Sequence, residues 1–161
     1  MPRTYQVTFE QVTISAAQDL FELFFPASTY KALKMLRMWL NVADPTAVPA
    51  AAFLPVRARI LPSAVTNGTG GASANIGKTD TGDTVASFTA HANNTTKATT
   101  TGTPQIEYED GFHDYQGFDH MFDRTPIIIG GQASSFVFEL LAVPASYSVK
   151  FSGGLEVEES G

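Results

Sequence analysis

The sequence predicts an all-β domain, an antiparallel β-sandwich or jelly roll of about eight strands. Three observations predict it. Short runs alternate apolar and polar residues with a period of two; Gly, Pro, Asn and Thr clusters separate those runs; and no helical pattern alternates with them, as a parallel α/β sheet would require.

The first strand begins at once, with Tyr5, Val7 and Phe9 on one face and Gln6, Thr8 and Glu10 on the other. A second runs from Asp19 to Phe25 and is closed by Pro26; Phe21, Leu23 and Phe25 share one side, and the other side is also partly apolar, which predicts burial on both faces. Residues 29–42 fit two patterns. As a helix, capped by Ser28, they place Ala32, Met35, Leu36, Trp39 and Leu40 together; as a strand they align Ala32, Leu36, Met38, Leu40 and Val42, broken by Lys34. The strand-rich surroundings favour the strand, because local propensity is weak against tertiary context.

Asp44 to Pro55 reads as a Pro- and Ala-rich connection, followed by a strand in which Val56, Ala58 and Ile60 alternate with Arg57 and Arg59 up to Pro62. Residues 63–103 form a loop-rich insertion of Thr, Gly, Asn and Ala, with one short strand expected at Val85–Ala90. Ile106 and Tyr108 then alternate with polar neighbours, and after an acidic, aromatic stretch Ile127–Ile129 lead into a Gly130-Gly131 turn. Phe136, Phe138 and Leu140 mark the next strand. At the C-terminus a hairpin turn at Gly153-Gly154 would set Phe151 against Glu156 and mix each face. One continuous strand instead aligns Tyr147, Val149, Phe151, Leu155 and Val157, with the glycines as a kink or a point of close backbone approach.

The 161 residues fit a single domain, residues 1–161, and 43% hydrophobic content is enough to close its core. Charged residues are 16% of the chain, against about 25% in ordinary soluble domains, so the surface is dominated by uncharged Thr, Ser, Ala and Gly. A formal charge of −6 offers no basic footprint for nucleic-acid phosphates. The absence of cysteine excludes disulfides and thiolate chemistry, and no signal-peptide-like or membrane-spanning apolar run is visible, so neither membrane nor nucleic acid is an expected partner.

Chemical motifs are sparse. Gly71 to Thr79 approaches a phosphate-binding loop, but five residues separate Gly71 from Gly77 where four are needed, and no helix is expected after Thr79. The stretch 107–123 gathers two of the three histidines with six carboxylates, and His113, Asp114, Asp119, His120 and Asp123 are its candidate ligands for a divalent cation. Their spacing matches neither a helical His pair nor a calcium loop, so solvated charges over packed aromatics are the favoured reading and no cofactor is expected. His113 and His120 stand seven apart and His91 is isolated, unlike the close His pair of a cupin enzyme. Asn67, Asn93 and Asn94 begin N-x-T triplets, relevant only to a secreted eukaryotic protein. No serine sits in a nucleophile elbow, so no catalytic residue is assigned.

Several segments together resemble a known class. Asp19-Leu20-Phe21-Glu22-Leu23, the run Thr66 to Gly71 after a basic strand, Asn93-Asn94-Thr95-Thr96, Asp110-Gly111-Phe112 and the ending Pro144 to Glu159 are similar to small proteins of tailed bacteriophages and prophage regions, across most of the chain. The chain departs from that pattern at Pro45–Pro55, where a stretch rich in Gln, Asp and Glu would stand. The resemblance implies a non-enzymatic virion accessory protein, a capsid decoration or cement protein with a jelly-roll-like fold. It would be made in the bacterial cytoplasm, bind the major capsid protein or other virion subunits at the capsid surface, and self-associate, with a trimer expected. The alternative is a tail, neck or fibre component, or a carbohydrate-binding module stacking sugars on Trp39, Tyr108, Phe112 or Tyr115.

Overall fold

The computed structural model describes residues 2–26, 29–43, 52–130 and 134–161. Fourteen strands lie among them: β1 (Arg3–Ile14), β2 (Gln18–Phe24), β3 (Ala32–Val42), β4 (Phe53–Leu61), β5 (Val65–Thr66), β6 (Ala72–Ser73), β7 (Asn75–Lys78), β8 (Thr89–Asn94), β9 (Thr99–Thr100), β10 (Gln105–His113), β11 (Phe118–Met121), β12 (Ile127–Ile129), β13 (Ser135–Leu140) and β14 (Val149–Ser160). The first sheet has the order β11-β3-β14-β1-β7, with β12 also on β3; the second is β10-β4-β13-β2-β8-β6; β5 and β9 form a separate ladder. Every pairing is antiparallel. Apart from β4 and β10, which pair in the second sheet, and β11 and β12, which both lie on β3, successive strands cross between the sheets once β5 to β9 are set aside, and the two four-strand orders are those of a jelly roll.

One apolar core lies between the sheets. Aromatic pairs bridge it: Phe9 of β1 meets Phe21 of β2 at 5.1 Å between centroids, and Phe118 of β11 stacks on Phe138 of β13 at 5.6 Å. β14 is one continuous strand, and its glycines are a point of close approach. A Cβ on Gly154 would lie 2.1 Å from the Trp39 ring, so the indole lies where any side chain would stand.

Residues 32–42 are a strand, but the core face differs from the expected set. Leu33 and Met35 face inward, then Met38 and Leu40, because the ladder with β14 shifts between Glu156 and Val157, and Leu36 is the extra residue. Ala32 and Leu36 are therefore off the core row. The Ser28 cap and the residues 44–51 of the predicted connection lie outside the described residues, as does Gly131 of the predicted turn.

The insertion 63–103 holds five short strands where one was expected, and the expected segment is displaced: Val85 is exposed, and the strand is Thr89–Asn94. β6 pairs with β8 in the second sheet and β7 pairs with β1 in the first, so the chain crosses between sheets at Ala74, whose N–H donates to the Ala90 carbonyl at 3.0 Å. The stretch that approached a phosphate loop is this crossing. The β5–β9 ladder lies on the outer face of the second sheet, where Val65 and Ala98 pack with Leu61 and Val137 into a second small core. That cover explains why both faces of β2 are buried.

Candidate functional site

The candidate ligands of 107–123 are dispersed. β10 continues through His113, a single 3-10 turn covers Asp114–Gln116, and β11 resumes at Phe118, so strand geometry replaces the expected loop and alternates the side chains between faces. Asp114 is buried, accepting from the Ala52 N–H at 3.1 Å and the Tyr147 hydroxyl at 3.2 Å; burial and the Asp114 charge push the Tyr147 hydroxyl pKa up. His113 packs edge-on against Phe53. Asp119 is exposed and paired with Arg37, whose Nε donates at 2.8 Å; that bond holds its pKa below the usual carboxylate value. His120 lies on Tyr108 with centroids 3.9 Å apart, and burial pushes its pKa down against the opposing pull of Asp123, Asp110 and Asp119. Asp123 is exposed. Among the described residues no group of three His, Cys, Asp or Glu side chains could hold a metal ion.

The aromatics named for sugar stacking do not form a platform either. Phe112 is buried, Tyr108 is covered by His120, and Trp39 lies over Gly154 with the Arg37 guanidinium 5.5 Å from its ring; Tyr115 alone of the four is exposed. Asn93 and Asn94 are buried and cannot serve as glycosylation acceptors as folded.

A different polar cluster lies where the insertion covers the second sheet. Strand register aligns Arg57, Glu139, Asp19 and Asn94 in one row, and Arg59, Val137, Glu22 and His91 in the next. Asp19 and Glu22 are 0% exposed and Glu139 is 1% exposed. Glu139 collects three cations: Arg57 Nε at 2.7 Å, Arg59 Nε at 2.9 Å and Lys97 Nζ at 3.0 Å. Those partners hold its pKa below normal even though burial acts the other way. Glu22 accepts from the Gly68 N–H at 3.0 Å and Asn94 Nδ2 at 2.9 Å, and Asp19 from the Ala98 N–H at 2.6 Å. Burial dominates for both, raising Asp19 to about 6 and Glu22 to about 7. Asp19 Oδ1, Glu22 Oε1 and Ser135 Oγ have no hydrogen-bond partner among the described residues. Gly68, Lys97 and Ala98 all belong to the insertion, so these carboxylates act as its latch. The sequence carried one signal of them, the doubly apolar β2 with acids set into it.

Two surfaces remain. A cleft of about 770 Å³ opens between β1 and the insertion. At the opposite side, where β10 ends the second sheet and β11 and β12 end the first, large apolar side chains face solvent: Ile106 on β10, Met121 on β11, Ile127 and Ile129 on β12, with Tyr30, Phe53 and Tyr115 beside them.

No family model, no curated protein and no solved structure is similar to this chain. Its function is therefore argued from these surfaces.

Proposed function

We propose that this chain is a non-enzymatic structural protein that works by assembly: a virion accessory protein decorating or cementing a tailed-phage capsid, made in the host cytoplasm. The observation that carries the reading is the set of exposed apolar side chains on the end strands of the two sheets, Ile106 on β10, Met121 on β11 and Ile127 and Ile129 on β12. A nine-residue strand at a sheet end presents unpaired backbone groups, and apolar side chains beside them make the edge adhesive to another subunit. Ile127 at 44% and Ile129 at 52% exposure flank the buried Ile128, so their faces are solvent-facing by strand alternation, not by disorder of the edge.

The two edges differ in sequence, so a contact between β10 of one copy and β12 of the next would be heterologous, the kind of contact that forms a ring when its rotation closes. A trimer is the expected state, and the major capsid protein or another virion subunit is the second partner. The formal net charge of −6 supplies no general attraction to nucleic-acid phosphates.

Size-exclusion chromatography with light scattering tests the self-association. A trimer of the 17.3 kDa chain is expected, and Ile127→Lys with Ile129→Lys should shift it to monomer without loss of the β spectrum. Mass spectrometry of purified particles tests the virion role, and absence of the chain from them would sink it. Electron microscopy of the same particles separates a capsid position from the alternative tail, neck or fibre position.

A further inference from the structure

We infer that the cleft between β1 and the insertion is a binding site for a neutral polyol, a sugar ring or short neutral glycan. The proposal is independent of the assembly reading, since the cleft and the apolar edges lie on opposite sides of the sandwich.

The cleft begins where one ladder stops. β7 covers β1 over Tyr5–Thr8 and ends at the Thr8–Asn75 pair, while β14 continues along the other side of β1 to Ile14. Beyond Thr8 the wall facing β1 is built from Gly70 to Ser73 and from Ala92, Asn93 and Thr95. Its volume of about 770 Å³ lies in the range of small-ligand sites, roughly 300–1,000 Å³.

Two strained residues shape it. Asn93 lines the cleft with φ 60°, and Gln11, between the lining residues Glu10 and Val12, has φ 52°. Both are non-glycine residues in the left-handed region, a conformation that gathers at ligand sites. The Gln11 bulge changes the phase of β1, so Val12 lines the cleft while the Gln11 N–H is held by Ser152 Oγ at 3.1 Å. Asn93 is held by a buried bond, Gln18 Nε2 donating to its Oδ1 at 3.0 Å. That bond engages one donor of Gln18 and one acceptor of Asn93, so the cleft lining carries two amide side chains, groups that both donate to and accept from sugar hydroxyls.

The lining selects the ligand class. Thr8, Thr13, Ser73 and Thr95 supply hydroxyls, Glu10 supplies one exposed carboxylate, and no Lys or Arg lines the cleft, so nothing there favours an anion. Val12, half-buried, supplies the apolar contact that a sugar's C–H face needs, while Phe9 reaches the lining from the core. An extended peptide is the competing occupant, because strands add to free edges, but the bulge at Glu10-Gln11 interrupts the regular ladder that such addition requires.

The test is an amide-resolved NMR titration of the intact chain with glucose, galactose, N-acetylglucosamine and maltose, and separately with an alternating Thr/Val peptide. Shifts confined to residues around Thr8–Thr13, Gly70–Asn75 and Ala92–Thr95 on adding a saccharide are expected. Asn93→Gly keeps the left-handed backbone and deletes the amide, and Glu10→Gln removes an exposed charge; each should weaken that saccharide about tenfold, the loss of one good polar contact. No shift with any saccharide, saccharide shifts that both variants leave unchanged, or shifts with the peptide alone would each overturn the proposal.

Discussion

The outer faces of the two sheets carry the same ionic vocabulary in opposite environments. On the first sheet Arg37 pairs with Asp119 and Lys34 with Glu158 in contact with water. On the second, Glu139 and its three cations lie beneath the insertion, with Asp19 and Glu22 buried beside them. Exposed pairs contribute little because water solvates each ion nearly as well as its partner does, whereas a buried ion stripped of its partners has nothing to replace them. The difference teaches that the insertion, not the charges themselves, decides what the charges do. One face is a solvated surface and the other is a latch.

The comparison breaks most severely at Glu139. Glu139→Ala leaves Arg57, Arg59 and Lys97 without their carboxylate, and urea denaturation should report a loss of about 3–5 kcal/mol.

The pH dependence sharpens it next. The Glu22 pKa is raised on folding, from 4.5 to about 7, so the folded state holds the proton more tightly than the unfolded chain. Its stabilising contribution is therefore fully present below the unfolded value and is lost as pH rises through about 7; Asp19 follows the same sign, lost as pH rises through about 6. Glu139, and Glu159, which is buried and accepts from Lys31 Nζ at 2.7 Å and the Ser87 N–H at 2.8 Å, have the opposite sign and lose stability only as pH falls through their depressed values. Between about pH 4.5 and 7 the wild type should weaken as pH rises, and Glu22→Gln should flatten that slope by about 2–3 kcal/mol in denaturation midpoints measured across the window.

On the first sheet, packing is the sensitive element. Gly154→Val would drive a side chain into the Trp39 ring, and a loss of about 1–3 kcal/mol is expected by thermal melting. The smallest effect belongs to Lys34→Ala, which should change stability by less than about 1 kcal/mol. A larger loss there would erase the contrast between the two faces.

Where alternation was regular, the fold was legible. Tyr5, Val7 and Phe9 on β1, and Val149, Phe151, Leu155 and Val157 on β14, face the core as their period predicts, and the glycine pair could be resolved because a hairpin would have mixed apolar and polar faces. β3 was legible as a strand but not in phase, because one bulge at Leu36 moves every preceding residue to the other face. The latch was hidden for a different reason. Glu22 and Asp19 are made buried by Gly68 and Ala98, in a Thr- and Gly-rich tract with no periodicity to announce where it docks. The 107–123 acids were conspicuous because they are neighbours in sequence, yet strand alternation and the turn at Asp114 separate them. The cleft depends on the left-handed Gln11 and Asn93, whose conformations are consequences of long-range pairing.

The crossing at Ala74 makes the two ends of the sandwich unequal. By joining β6 to β7 it ends both sheets on that side in strands of two and four residues, too short to template another chain, while β10 on the far side offers nine. The same chain crossing that walls the cleft thus leaves the sandwich with one closed end, which guards that end against strand-by-strand addition.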